Sequence, residues 1–357
     1  MESIQSHRKD EHLSLAEKFY STVHQTDSFD GIRIIHNSLP ELGLNDATLQ
    51  TTVAGLSFVH PYYIEAITGG SQTAAKVNSQ LAKLAAKHNL AMAVGSASIL
   101  LADESAKDSF AVIRQQNPNG LVFANVSAHT TVEQAEFIID FMKADALEVH
   151  VNSAQEIVMP EGEREFYWLE NLKQLKSSLS IPVIVKEVGF GMSHETVEQL
   201  AQIGINNVNV SGHGGTNFVE IENRRNHQND YSYLSDWGQT TVESLLDCGT
   251  VTNVNLFASG GVTTPLDVIK CGVLGAQAVG VAGYFLHILT SQGYDALDLT
   301  LTQWSDEVQK LLLLCGSKSF ADLKNTPYVL NSELINFLNQ RQRDWDKSPN
   351  SLDFGHC

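Results

Sequence analysis

The sequence predicts an α/β fold: an eight-stranded parallel β/α barrel with an N-terminal extension and a C-terminal helical tail. Three observations lead there. Eight short apolar runs recur between residues 62 and 283, amphipathic stretches separate them, and nearly every run ends in Gly, Ser, Thr or Asn. Strand–helix alternation implies right-handed crossovers and a parallel sheet. Eight units over about 230 residues match the usual size of such a barrel. The small polar residues fall at the C-terminal strand ends, where barrel enzymes carry their chemistry. The competing architecture is an open doubly wound sheet.

The 357 residues form one domain in this reading. Residues 1–61 are an arm and a barrel-closing segment, in which 29–60 read as strands and loops at the barrel's bottom. Residues 62–297 are the barrel. Its strand candidates are YYIEAITGG (62–70), LAMAVGSA (90–97), GLVFANVSA (120–128), ALEVHVNSA (146–154), PVIVKEVGF (182–190), NNVNVSGHGG (206–215), VNLFASGGV (254–262) and AQAVGVAG (276–283). Between them, stretches such as 74–88 and 131–144 carry apolar residues at helical spacing. The segment 212–236 reads as a long polar loop, a length more often functional than idle. Residues 298–357 read as a helical tail.

Composition narrows the partners. With 23 basic against 41 acidic residues the formal charge is −18, which argues against nucleic-acid or anionic-membrane binding. The four cysteines are widely spaced, as for reduced thiols of a cytoplasmic protein. The polar start MESIQSHRKDEH is unlike a signal peptide, and no apolar run approaches a membrane span.

The stretch 147–162, LEVHVNSAQEIVMPEG, raises the chemical question. At period two, Leu147, Val149 and Val151 share one face while Glu148, His150 and Asn152 share the other. Buried polar groups need partners, so the polar face belongs to water or to an active-site floor. SGG at 259–261 and GVAG at 280–283 follow the seventh and eighth strands, the loops that commonly bind phosphate in barrels. Lys186 ends the fifth strand, poised to stabilise negative charge on a cofactor ring or to pair with Glu187 or another inward carboxylate. Glu156 is a candidate ligand for Mg²⁺, although spacing alone does not separate it from a solvated glutamate. RKDEH at 8–12 is, on composition, a frayed terminus; its functional alternative folds Arg8, Lys9 and His12 over an anion.

Taken together, RKDEH, ITGG, MAVGS, HVNSAQE with MPEG, VIVKEVGFGMS, SGHGGTNF and ASGGV resemble, in order, the type 2, flavin-dependent isopentenyl-diphosphate isomerases. The likeness runs from about residue 7 to 330. It implies a barrel binding FMN and Mg²⁺ that interconverts isopentenyl and dimethylallyl diphosphate, with the flavin reduced by NADPH and relaying the proton. By resemblance, Gln155 lies near the substrate double bond, Glu156 binds the metal, and Lys186 lies against the flavin. His150 and Asn152 line the substrate pocket; Arg8, Lys9 and His12 clamp the diphosphate. Thr68, Gly69, Gly70, Ser96, Asn125, Ser211, Thr216, Gly260, Gly261, Ala282 and Gly283 match FMN-binding positions. The resemblance also implies a homotetramer or homo-octamer.

The chemistry agrees with a proton-carrying cofactor, because the inward strand offers no carboxylate pair and no evident histidine dyad. Ala97, Ser98 and Thr263 depart from the family pattern, which removes potential anion contacts that Arg224 and Arg225 are candidates to replace. The runner-up is an FMN-dependent 2-hydroxy-acid oxidase using His213, but Thr216 stands where such enzymes carry the carboxylate-binding arginine. A non-catalytic flavin- or phosphate-binding regulator is the alternative from another class.

Overall fold

The computed structural model describes residues 4–22, 28–226 and 228–342. All eight apolar runs form strands: β1 (Tyr62–Ile64), β2 (Met92–Ala93), β3 (Val122–Ser127), β4 (Ala146–His150), β5 (Val183–Lys186), β6 (Asn207–Asn209), β7 (Asn255–Ser259) and β8 (Ala278–Val281). They pair in parallel in chain order, and β8 pairs with β1 through Val279 and Tyr62, which closes the barrel. Closure excludes the open sheet.

Period-two alternation sets the two faces of each strand. Leu147 and Val149 of β4 join the shell packed against the surrounding helices, together with Ile138, Leu172 and Leu175. Ala146 and Glu148 turn into the barrel. The lower interior is apolar, filled by Tyr63, Phe123, Ile184 and Phe257, and the hairpin Thr51–Val53/Leu56–Phe58 presses Val53 and Phe58 onto it. Each such side chain contributes roughly 1.5–3 kcal/mol on burial. The upper interior is polar, with Asn125, Glu148, Lys186, Asn209 and Ser259 all buried.

The barrel helices begin where the sequence supplies caps. Ser71 caps Gln72–His88 by accepting from the Ala74 N–H. Thr264 and Asp267 form a capping box on Pro265–Val273, with Pro265 at a first-turn position where its missing N–H costs nothing. Such caps fix where each strand-to-helix loop ends, and therefore where its backbone amides point.

Two segments differ from the sequence reading. The tail is not wholly helical: after the helix Tyr294–Cys315, strand Tyr328–Leu330 pairs antiparallel with Ile32–Ile34, before the helix Ser332–Gln340. Three residues are too few to show a period, so only the distant partner reveals that strand. The segment 212–236 contains a helix, Phe218–Arg225, capped by Asn217. It buries Val219, Ile221 and Glu222, and the last of these hid the apolar stripe. The end of the expected tail, 343–357, lies outside the described residues.

Candidate active site

A cavity of about 1050 Å³ opens at the C-terminal ends of the barrel strands. That exceeds the usual volume of a site for one drug-sized ligand, so there is room for a large cofactor beside a small substrate. Its ceiling is the helix Ile4–Thr22, so RKDEH is an ordered turn of helix. Acidic residues dock the helix: Asp10 accepts from the Ser71 hydroxyl, Glu11 pairs with Arg225 at 3.0 Å, and Glu17 pairs with His287 at 2.8 Å. Arg8, Lys9 and His12 line the cavity. Lys9 has no hydrogen bond or ion pair among the described residues. Burial and the neighbouring Arg8 charge, opposed by Glu222, push it down to about 8, so it stays a cation at neutral pH.

The opposite wall is built from backbone. Gly212, Gly215, Gly260, Gly261, Gly280 and Gly283 line it. A Cβ at Gly260, whose φ is +97°, would lie 2.1 Å from the Gly212 carbonyl oxygen. One at Gly280 would lie 2.4 Å from Glu65 Oε2. Only glycine lets these loops approach so closely. Thr68, Ser96, Asn125, Ser211, Thr216 and Ala282 complete the same wall. Gly69 and Gly70 are not brought to it: they pack against Phe110 and Ile99, and the Gly70 N–H is bound to Ser109 Oγ.

Lys186 donates to the carbonyl of Glu187 at 3.0 Å and lies 3.4 Å from Ser211 Oγ. Its neighbour's carboxylate accepts from the N–H groups of Val188 and Phe190, and Lys186 makes no salt bridge among the described residues, although its charge acts on Glu148. The floor is the short helix Ser153–Val158 and the residues before it. Asn152 Nδ2 donates both to Gln155 Oε1 at 3.1 Å and to Glu156 Oε1 at 3.0 Å. Gln155 Nε2 donates to Glu222 Oε1 at 3.1 Å, so both ends of this buried amide are assigned. The MPEGER loop wraps Glu156, whose Oε2 accepts from the Glu163 N–H at 2.8 Å.

The residues fit the two groups the sequence implied. A wall of amides and small hydroxyls that a Cβ would fill suits a phosphate-bearing planar cofactor. Glu156 is a carboxylate with no acidic or histidine cluster around it, and no three-residue metal cluster occurs among the described residues. A single carboxylate suits a hard cation completed by phosphate oxygens and water, not a transition metal.

A match to the family model for FMN-dependent dehydrogenases spans residues 114–330. Curated relatives align over almost the whole chain. An isopentenyl-diphosphate delta-isomerase of Limosilactobacillus reuteri subsp. reuteri is 54% identical, covering 96% of this chain and 99% of its own. One from Latilactobacillus sakei subsp. sakei is 47% identical, covering 95% and 97%. One from Staphylococcus aureus is 41% identical, covering 94% and 96%. The chain belongs to the FMN-dependent isopentenyl-diphosphate delta-isomerase family. Among solved structures, a mandelate oxidase with (S)-2-phenylpropionate superposes with a TM-score of 0.62 at 16% identity, covering 90% of each chain. That likeness extends to the fold alone. No helix of the described residues is long and apolar enough to cross a membrane.

Against this family background, the structure adds groups that the sequence reading missed. Glu222, from the supposed loop, is fully buried beside the cavity. Its Oε1 lies 2.7 Å from His12 Nε2, and Arg225 pairs with its other oxygen. Burial pushes Glu222 up, but His12, Arg225 and Gln155 outweigh it and hold the carboxyl below its usual range. Burial pushes His12 down, against the pull of Glu222. A histidine–carboxylate pair therefore exists, assembled from residues more than 200 positions apart. A carboxyl pair also exists inside the barrel, Glu65 with Glu148, contrary to the reading that the inward face held none. Arg225 is consumed by Glu11, Glu161 and Glu222, and Arg224 does not line the cavity, so neither replaces the missing anion contacts. His213 lies 3.0 Å from the Ser235 carbonyl oxygen and is absent from the cavity wall.

Proposed function

We propose that the protein interconverts isopentenyl diphosphate and dimethylallyl diphosphate, using FMN reduced by NADPH, with Mg²⁺ on the diphosphate. The observation that carries this reading is the convergence, in one cavity, of a helix that presents Arg8 and Lys9, a glycine-amide wall and the Gln155–Glu222–His12 cluster. The printed names of the relatives support it. When bound, reduced FMN supplies a ring able to hold and release a proton, and Mg²⁺ supplies positive charge for the diphosphate.

The chain's own residues do the rest. The wall from Thr68, Ser96, Asn125, Ser211, Thr216, Gly260, Gly261, Ala282 and Gly283 holds the cofactor, with Lys186 supplying a fixed cation beside it. Glu156 holds the metal ion. Arg8, Lys9 and His12 bind the diphosphate, Lys9 with its charge still unspent. A double-bond shift requires one proton added at one carbon and one removed from another, away from bulk water. Gln155 keeps one amide N–H free to meet the double bond, because Asn152 and Glu222 fix its orientation. The Glu222 carboxylate and His12 imidazole, 2.7 Å apart, can take up a proton and return it. The helix Ile4–Thr22 covers the cavity and keeps solvent from both sites of proton transfer.

The test is proton NMR of isopentenyl diphosphate incubated anaerobically with the protein, FMN, Mg²⁺ and NADPH, beside a sample lacking NADPH. Dimethylallyl diphosphate forming only with the reductant is the expected result. Bound, reducible FMN with no conversion would end this reading. The 2-hydroxy-acid oxidase alternative asks His213 to take a proton from substrate, and that ring is turned to Ser235.

A further inference from the structure

At the bottom of the cavity lies a carboxyl pair, Glu65 and Glu148, that the proposed reaction does not use. Glu148 on β4 and Glu65, just beyond β1, are 0% and 2% exposed. Glu65 Oε2 accepts from Asn209 Nδ2 at 2.7 Å and from the Tyr63 hydroxyl at 2.9 Å; its Oε1 accepts from the Ala66 N–H at 2.7 Å. Glu148 Oε2 accepts from Asn125 Nδ2 at 3.0 Å, while its buried Oε1 receives no donor among the described residues. Asn125 carries the connection upward, because its Oδ1 lies 2.9 Å from Nδ1 of His150, which lines the cavity.

An amide has one donor end and one acceptor end. With Nδ2 committed to Glu148, Oδ1 faces His150, and only a hydrogen on Nδ1 satisfies that contact. A neutral imidazole protonated at Nδ1 has a bare Nε2.

We propose that Glu148 is a positioning residue: through Asn125 it fixes His150 as the Nδ1–H tautomer, so that a bare Nε2 faces the cavity and accepts an N–H or O–H of the bound ligand. This deepens the reading above and rests on it for the cavity being the active site. His150 in this form does not attract a phosphate oxygen, which separates it from Lys9 and Arg8. Burial and the Glu65 carboxyl, against the opposing Lys186 charge and Asn125 amide, push Glu148 well above the usual carboxylate range and favour its acid form. A proton on Oε1, shared with Glu65, satisfies the orphan oxygen and leaves Oε2 to accept from Asn125. Burial, Lys9 and Lys186 push His150 down to about 3, which keeps the ring neutral. The role thus needs an accepting oxygen toward Asn125 and no charge, and a glutamine keeps that oxygen while its amide N–H groups face Glu65.

The experiment is nitrogen NMR of the FMN-bound protein labelled with ¹⁵N-histidine, without substrate, with the His150 signals identified by their loss in His150→Asn. The expected spectrum has a protonated Nδ1 and a bare Nε2 at residue 150. Glu148→Gln should keep both the tautomer and near-wild-type kcat. Glu148→Leu should free the Asn125 amide to turn, bring in the Nε2–H tautomer and lower kcat on the order of tenfold, the scale for losing the hydrogen-bond partner that orients a histidine. A proton on Nε2 in the wild type, or Glu148→Gln losing tautomer or turnover, would overturn the proposal. If Glu148→Leu does not fold, the wild-type and Glu148→Gln spectra decide. The spectra need no substrate, so they stand or fall independently of the isomerisation assay.

Discussion

Glu148, inside the barrel, and Glu222, at its rim, are both fully buried, yet their neighbours shift them in opposite directions. Glu148 sits beside another carboxyl, and among the described residues its hydrogen-bond donor is a neutral amide; it is held well above the usual carboxylate range. Glu222 sits among His12, Arg225 and the Gln155 amide and is held below it. Burial disfavours charge at both, and the partners decide which glutamate keeps it. The difference divides the labour of the site. Inside the barrel Glu148 is turned toward its acid form, and at the rim Glu222 is turned toward the carboxylate that can meet a moving proton.

The comparison can be broken most severely at Glu222. Glu222→Gln should bind FMN but lose about 10²-fold or more in kcat for isomerisation, the usual range for losing a group that moves a proton. Turnover near wild type, read by NMR, would remove Glu222 from the chemistry. Gln155→Ala should likewise keep FMN and lose nearly all turnover, because its free amide N–H is gone; retention of activity would leave the Asn152–Gln155–Glu222 chain as scaffolding. Lys9→Ala should raise KM for the diphosphate substrate about tenfold, as expected for one charge-assisted contact, with kcat and flavin affinity little changed. An unchanged KM would mean that Lys9 does not touch the substrate.

The smallest effect sharpens the contrast most directly. A carboxyl with a lowered folded pKa stabilises the fold above its unfolded pKa, and that stability fades as pH falls through the folded value. A carboxyl with a raised folded pKa behaves oppositely: stability is present below the unfolded pKa and is lost as pH climbs toward the folded one. Denaturation of Glu222→Gln should therefore show a loss relative to wild type at pH 7 that shrinks on acidification below about 4.5. Glu148→Gln should match wild type near pH 4 and gain on it above that, at up to about 1.4 kcal/mol per pH unit. The same sign for both variants would mean that the two environments are alike.

Much of the fold was legible in the sequence, because a period of two set against helical spacing is a local property. All eight strands lie within the predicted runs, and the face of β4 bearing Glu148 and His150 followed from alternation alone. Glu222 was not legible. It lies in a polar segment of Asn, Arg and Glu, and nothing nearby announces that His12 and Gln155 surround it. Glu65 and Glu148 each lie within predicted runs, but their meeting depends on how many strands close the barrel. The strand Tyr328–Leu330 was hidden for a related reason, since its partner Ile32–Ile34 is some 300 residues earlier.

The sequence by itself determined the barrel, the glycine-built wall and the identity of the cations near the start, because these follow from spacing, steric size and charge. Only the tertiary structure decided which glutamate is held above the usual carboxylate range and which below, which end of Gln155 points where, and that Gly69 and Gly70 pack against Phe110 and Ile99. Those properties belong to pairs of residues brought together from distant parts of the chain. Charge and hydrogen-bond polarity inside a protein are set by the neighbour across the gap.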